Sequence, residues 1–161
     1  MHGANRSGRP FTGDHAGILL YRTLHRLGLA SRPESVSTDD GLELHGCRIT
    51  NAVKCLPPGN KPTGAEVRNC RSWLGAELAG GRPEVILALG RIAHDSTLSA
   101  LGLKRTIFPF GHGAEHALPD GSVLIDSYHC SRYNTQTRRL TETMFLEVMA
   151  RAAACAGLVS R

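Results

Sequence analysis

The segment Glu84-Val-Ile-Leu-Ala-Leu-Gly90-Arg-Ile-Ala-His94 compresses three structural signals into a short space. From Glu84 to Leu89 the run is almost wholly apolar, of the length of a buried strand. Gly90 stops it, and from Ile92 to Leu101 the apolar residues return at helical spacing. The motif is strand, tight turn, helix. Downstream, Ser-Val-Leu-Ile-Asp-Ser-Tyr-His from Ser122 forms a second apolar run. A last long helix follows from Leu140 to Ala156, through Met144, Phe145, Val148 and Met149. Strands that alternate with helices need crossover connections, which predicts an α/β class: a three-layer α/β/α sandwich with a parallel sheet.

Upstream, Ile18, Leu19, Tyr21, Leu24 and Leu27 recur at helical spacing after Asp14, and Gly28 suits a C-terminal cap. Residues 30–41 carry turn formers and charges, and read as a surface loop. The β-branched run from Cys47 to Val53 is predicted as a buried strand, ended by the proline-rich Cys-Leu-Pro-Pro-Gly-Asn-Lys-Pro-Thr. Thr63, with Glu66 three residues on, signals a capping box. The helix it opens should reach about Ala79, with Val67, Cys70, Trp73, Leu74 and Leu78 on its apolar side. The Gly- and His-rich stretch from Thr106 to Leu118 has room for a short edge strand.

The chain has 161 residues, 41% hydrophobic and 20% charged, which fits one domain over 1–161. No apolar run reaches the roughly 18 residues of a membrane span, and the first residues hold no apolar signal core, so a cytoplasmic protein without membrane contact is expected. A formal charge of +5 suits a polyanionic partner without identifying one. Five cysteines, Cys47, Cys55, Cys70, Cys130 and Cys155, favour thiols or metal ligands over a disulfide framework, and Cys47 and Cys155 also fit core positions.

In sheets of this class ligands gather beyond the carboxyl ends of the strands. Asn51, Lys54 and Cys55 follow the first strand there, Gly90 and Arg91 the second, and Asp126, His129, Ser131, Asn134 and Gln136 the third. An amide such as Asn51 reads a nucleobase edge with one donor and one acceptor, or is satisfied by neighbouring backbone. His129 suits stabilisation of an anion growing on a carbonyl oxygen, although a histidine at a strand end is more often structural. Arg132, Arg138 and Arg139 around Tyr133 suit phosphate contacts, or form a solvated loop. Phe11 offers a stacking face, and Asp14 a carboxylate at a helix N-terminus; the plainer readings are a hydrophobic staple and an N-cap. Cys55 and Cys70 have spacing that permits two ligands to one metal centre. A metal-dependent hydrolase built on His112, His116 and His129 is a weaker reading, since nothing else completes a compact ligand set.

Four segments, His-Gly-Ala-Asn-Arg-Ser-Gly-Arg-Pro-Phe-Thr-Gly-Asp from His2, Ile49 to Thr63, the Ala88-Leu-Gly90 turn, and Ser127 to Thr141, together resemble the iron-sulfur branch of the uracil-DNA glycosylase superfamily, family 5 or type b. They occur in that family's order across nearly the whole chain. The resemblance implies hydrolysis of the N-glycosidic bond of uracil flipped out of DNA, in base-excision repair. Phe11 would stack on the base, Asn51 would read its amide edge, His129 would stabilise the departing anion, and Asp14 would serve the attacking water or the cationic sugar. Ser131, Arg132, Asn134 and Gln136 would enter the duplex. Cys55 and Cys70 match two of four ligands to a [4Fe-4S] cluster. Met1 falls where the family's first motif should be ending, so the resemblance also implies an N-terminally incomplete domain. The first strand and two cluster cysteines would lie before it, leaving exposed sheet edge. A monomer acting on uracil-containing DNA is expected; the rival is a relative that binds nucleic acid without chemistry.

Overall fold

The structure is a computed structural model and describes residues 8–54 and 63–159. The chain divides into two compact units, Met1–Thr50 with Tyr128–Arg161, and Asn51–Ser127.

In the first unit, α1 spans His15–Arg26. Asp14 caps it by accepting the Gly17 N–H at 2.8 Å, and Gly28 leaves it in the left-handed region at φ 74°. Its buried face is Ala16, Gly17, Leu20, Tyr21, Thr23 and Leu24, whereas Ile18, placed on the apolar stripe by its spacing, is exposed. Residues past α1 fold back through a single antiparallel bridge between Ala30 and Leu44.

The second unit carries the other early elements. Its first helix, α2, spans Gly64–Gly81 behind the expected capping box: Thr63 Oγ1 accepts the Glu66 N–H, and the Glu66 carboxylate accepts the Thr63 N–H. Strand β1 is Val85–Leu89, followed by α3, Arg91–Ala100. Gly90 has φ 94°, which a side chain would strain, and that conformation turns the chain from strand into helix. Strands β2, Glu115–Ala117, and β3, Val123–Ser127, complete a three-stranded sheet in the order β1-β3-β2. β1 pairs with β3 in parallel, Leu87 opposite Ile125, and β2 adds an antiparallel edge, His116 opposite Leu124. Ala88, Leu98, Leu118 and Leu124 form the core of this unit.

The remaining helices belong to the first unit: α4, Arg132–Gln136, capped by Ser131, and α5, Glu142–Cys155, capped by Thr141. α5 buries Phe145, Val148, Met149, Ala152 and Ala153 and packs against α1.

Three sequence expectations are corrected. Cys47 to Val53 forms no strand. A β-branched run becomes a strand only where another strand offers a ladder, and none of the described strands pairs with it. Trp73 is 68% exposed on α2 instead of joining its apolar side. Cys155 is exposed at the end of α5, and Cys47 half-buried, so neither is a core residue.

Candidate active site

The loop before α1 is built by an unusual number of polar ties. Arg9 donates to Asp40 Oδ1 at 2.8 Å, to Ser35 Oγ at 3.0 Å and to the Thr38 carbonyl at 3.0 Å. Burial alone would raise the Asp40 carboxyl. The Arg9 hydrogen bond and the N–H groups of Leu42, Val36 and Ser37 outweigh it and hold the group far below the usual carboxylate range. Thr12, fully buried, pairs with Ser35 Oγ at 2.7 Å, and the Tyr21 hydroxyl donates to the Pro10 carbonyl at 2.9 Å. These ties hold Phe11 at φ 58°, a conformation disfavoured for a bulky side chain. Gly17 is what lets the loop close on the helix: a Cβ there would lie 1.7 Å from the Phe11 carbonyl oxygen.

Held this way, the Phe11 ring faces His129, with centroids 5.9 Å apart and planes 29° from parallel. His129 follows β3 by two residues and is half-buried. Burial lowers its pKa below the ordinary 6.5, and the opposing charge of Asp14 only partly offsets this. The ring is therefore neutral near pH 7 and presents one N–H donor. Asp14 is exposed beside it, one carboxylate oxygen committed to the Gly17 N–H. Phe11, Asp14 and His129 are thus brought together within one unit.

The segment after His129, predicted only as polar, contains α4. Ser131 caps that helix, and Asn134 donates from Nδ2 to the His129 carbonyl at 2.8 Å. These two side chains shape the loop. Arg132, Tyr133 and Gln136 project outward, Tyr133 being 71% exposed. His15 joins the loop to the start of α1, its Nε2 lying 3.2 Å from Thr135 Oγ1. Cys130 is fully buried, and that burial pushes its pKa up to about 12, which makes it an inert thiol.

Asn51 is half-buried and opens the second unit. Cys70 is buried on α2, and its sulfur accepts the Lys54 N–H at 3.3 Å, the kind of N–H···S contact that suits a ligand thiolate. Cys55 lies outside the described residues. Of the histidines in the hydrolase reading, only His116 enters a compact donor group. That group is His94, His116 and Asp126, whose ligand atoms all lie within 4.8 Å of one another and are able to hold a metal. Asp126, expected in a ligand cleft, is fully buried instead.

Comparison with known proteins converges on one family. The profile of the uracil DNA glycosylase superfamily matches residues 1–153. The type-5 uracil-DNA glycosylase of Thermus thermophilus is 54% identical over 159 residues, 98% of this chain and 72% of that protein. The chain belongs to the type-5 uracil-DNA glycosylase family. The type-5 enzyme of Pyrobaculum aerophilum is 47% identical over 97% of the chain and 68% of that protein. A type-4 uracil-DNA glycosylase from Archaeoglobus fulgidus is 39% identical over 62% of the chain. Membership carries the family's α/β fold, in keeping with the parallel β1–β3 pair, α3 packed on β1 and α2 packed on α3. No helix among the described residues is long and apolar enough to cross a membrane.

Sequence reasoning missed three residues that build the site, Gly17, Arg9 and Asp40, and only the first left a signal. Gly17 is a helix-weakening residue in an otherwise regular first turn. Arg9 and Asp40 lie 31 positions apart, and no local pattern links them.

Proposed function

We propose that this chain is a uracil-DNA glycosylase that hydrolyses the N-glycosidic bond of a uracil everted from DNA. The observation that carries the reading is the junction of Phe11 and Asp14, from the loop before α1, with the neutral His129 after β3, in a chain belonging to this family. Cleavage of the bond develops positive charge on the sugar and negative charge on the base. The His129 N–H meets the growing charge on a uracil carbonyl oxygen without first having to lose a proton. The free oxygen of Asp14 orients the water that attacks the sugar carbon, or balances the cationic sugar before attack. Phe11 supplies the stacking face, and Asn51 pairs with the amide edge of the base. Arg132 and Gln136 reach into the duplex from α4, with Ser131 and Asn134 setting the shape of that loop.

The [4Fe-4S] cluster is part of the proposal. Cys55 and Cys70 would each give it a thiolate, and when bound it supplies a covalent tie between the loop after Asn51 and α2. Residues 1–161 act in this reading as one glycosylase-like domain, as a monomer in the cytoplasm, with uracil-containing DNA as partner.

The test is release of free uracil from a uracil-containing duplex. Release by the chain, its loss in Asp14→Asn and Asn51→Ala, and retained duplex affinity in both support the assignment. Salt-dependent DNA binding without an abasic product would instead mark a binding protein.

A further inference from the structure

His94, on α3, is fully buried, and both its ring nitrogens face acceptors. Nε2 lies 2.9 Å from the Phe108 carbonyl oxygen, a pure acceptor, so a neutral ring that donates there carries its proton on Nε2. Nδ1 is then a lone pair aimed at Asp126 Oδ1, 2.8 Å away and itself an acceptor. Two lone pairs pressed together in a dry interior need a cation between them. A proton would serve that contact but leave a third donor idle. His116 Nε2, on β2, is buried and without a hydrogen-bond partner among the described residues, and stands 3.5 Å from Asp126 Oδ2.

We infer that His94, His116 and Asp126 form a buried site for a divalent transition metal, with zinc the best match to its two imidazoles and one carboxylate. Donors held 2.0–2.2 Å from zinc lie about 2.9 Å apart at a right angle and about 3.4 Å apart at the tetrahedral angle. His94 Nδ1 lies 2.8 Å from Asp126 Oδ1 and His116 Nε2 lies 3.5 Å from Asp126 Oδ2, close to those values, so the ion would sit against both oxygens of the one carboxylate. Outer contacts of the kind that orient metal ligands are in place: the Phe108 carbonyl holds the far side of His94, and the Gly111 N–H donates to Asp126 Oδ2 at 3.4 Å. The ion would join α3, β2 and β3, pinning a three-residue edge strand to the sheet. None of these residues takes part in the proposed glycosylase chemistry, so the two readings stand or fall separately.

The experiment uses the whole purified chain, stripped with a chelator and titrated with cobalt(II). Cobalt should bind with visible d–d bands that depend on His116. His116→Gln should weaken cobalt binding about 100-fold or more while circular dichroism stays unchanged. Histidine ring nitrogen resonances, recorded on the unaltered chain with and without zinc, should move for His94 and His116. Failure of the folded chain to bind cobalt, a spectrum indifferent to His116→Gln, or unmoved ring signals would each overturn the site. Uracil release is assayed in parallel, so that loss of one activity is distinguished from loss of the other.

Discussion

At the scale of single residues, His129 owes its neutral state to burial, with the nearby charge of Asp14 pulling the other way. A neutral donor stays useful down to its own depressed pKa. Uracil release should therefore persist as the pH drops below 6.5 and decline only at a more acidic value set by His129. His129→Ala should lower kcat by about 10²–10³-fold, the usual effect of deleting one donor to a developing anion, and erase that acidic limb. Gly17 is the second decisive residue. Gly17→Ala drives a methyl group into the Phe11 carbonyl, so the Phe11 loop must shift. A cost of about 1–3 kcal/mol is expected in chemical denaturation, together with weakened uracil release.

Among the elements, the helix caps were the most legible feature of the sequence. Asp14, Thr63 and Gly90 each announce a boundary because the chemistry is local: a side-chain oxygen meets a backbone N–H three residues on, or a glycine takes a left-handed turn. Thr63→Ala should cost α2 about 1 kcal/mol, measurable by urea denaturation, and leave DNA chemistry untouched at saturating substrate. Two strands were equally plain, since β1 and β3 are apolar runs bounded by turns. The failures have two causes, dependence on distant partners and shortness. Cys47 to Val53 has strand composition and finds no ladder among the described strands, and α4 is too short to show a period. In the site, Phe11, Asp14 and His129 were picked out by residue type and by family resemblance. The His94–Asp126 pair, 32 positions apart, was not, because a buried histidine inside an amphipathic helix looks like any polar residue on its outer face.

For the molecule as a whole, acid stability should fall in two windows with the same sign. His129 is depressed in the folded chain, so between 6.5 and its folded value the unfolded chain binds a proton that the native chain does not, and stability drops as pH falls. Asp40, also depressed, supports the fold above its ordinary 3.8 and loses that support as pH falls further. Urea midpoints across pH should show both declines, and Asp40→Asn should shrink the lower one, leaving the part that Asp120 contributes through its Ser122 hydrogen bonds. A formal charge of +5 further predicts duplex affinity that falls linearly with the logarithm of salt concentration, with a shallower slope in Arg132→Ala.

The lone tryptophan, Trp73, stands two-thirds exposed on the helix that also carries Cys70. Its indole already sees water in the native protein, so intrinsic emission will barely register global unfolding. The same placement makes it a ready optical reporter for whatever happens at the neighbouring Cys70 sulfur, where an iron-sulfur chromophore would quench it.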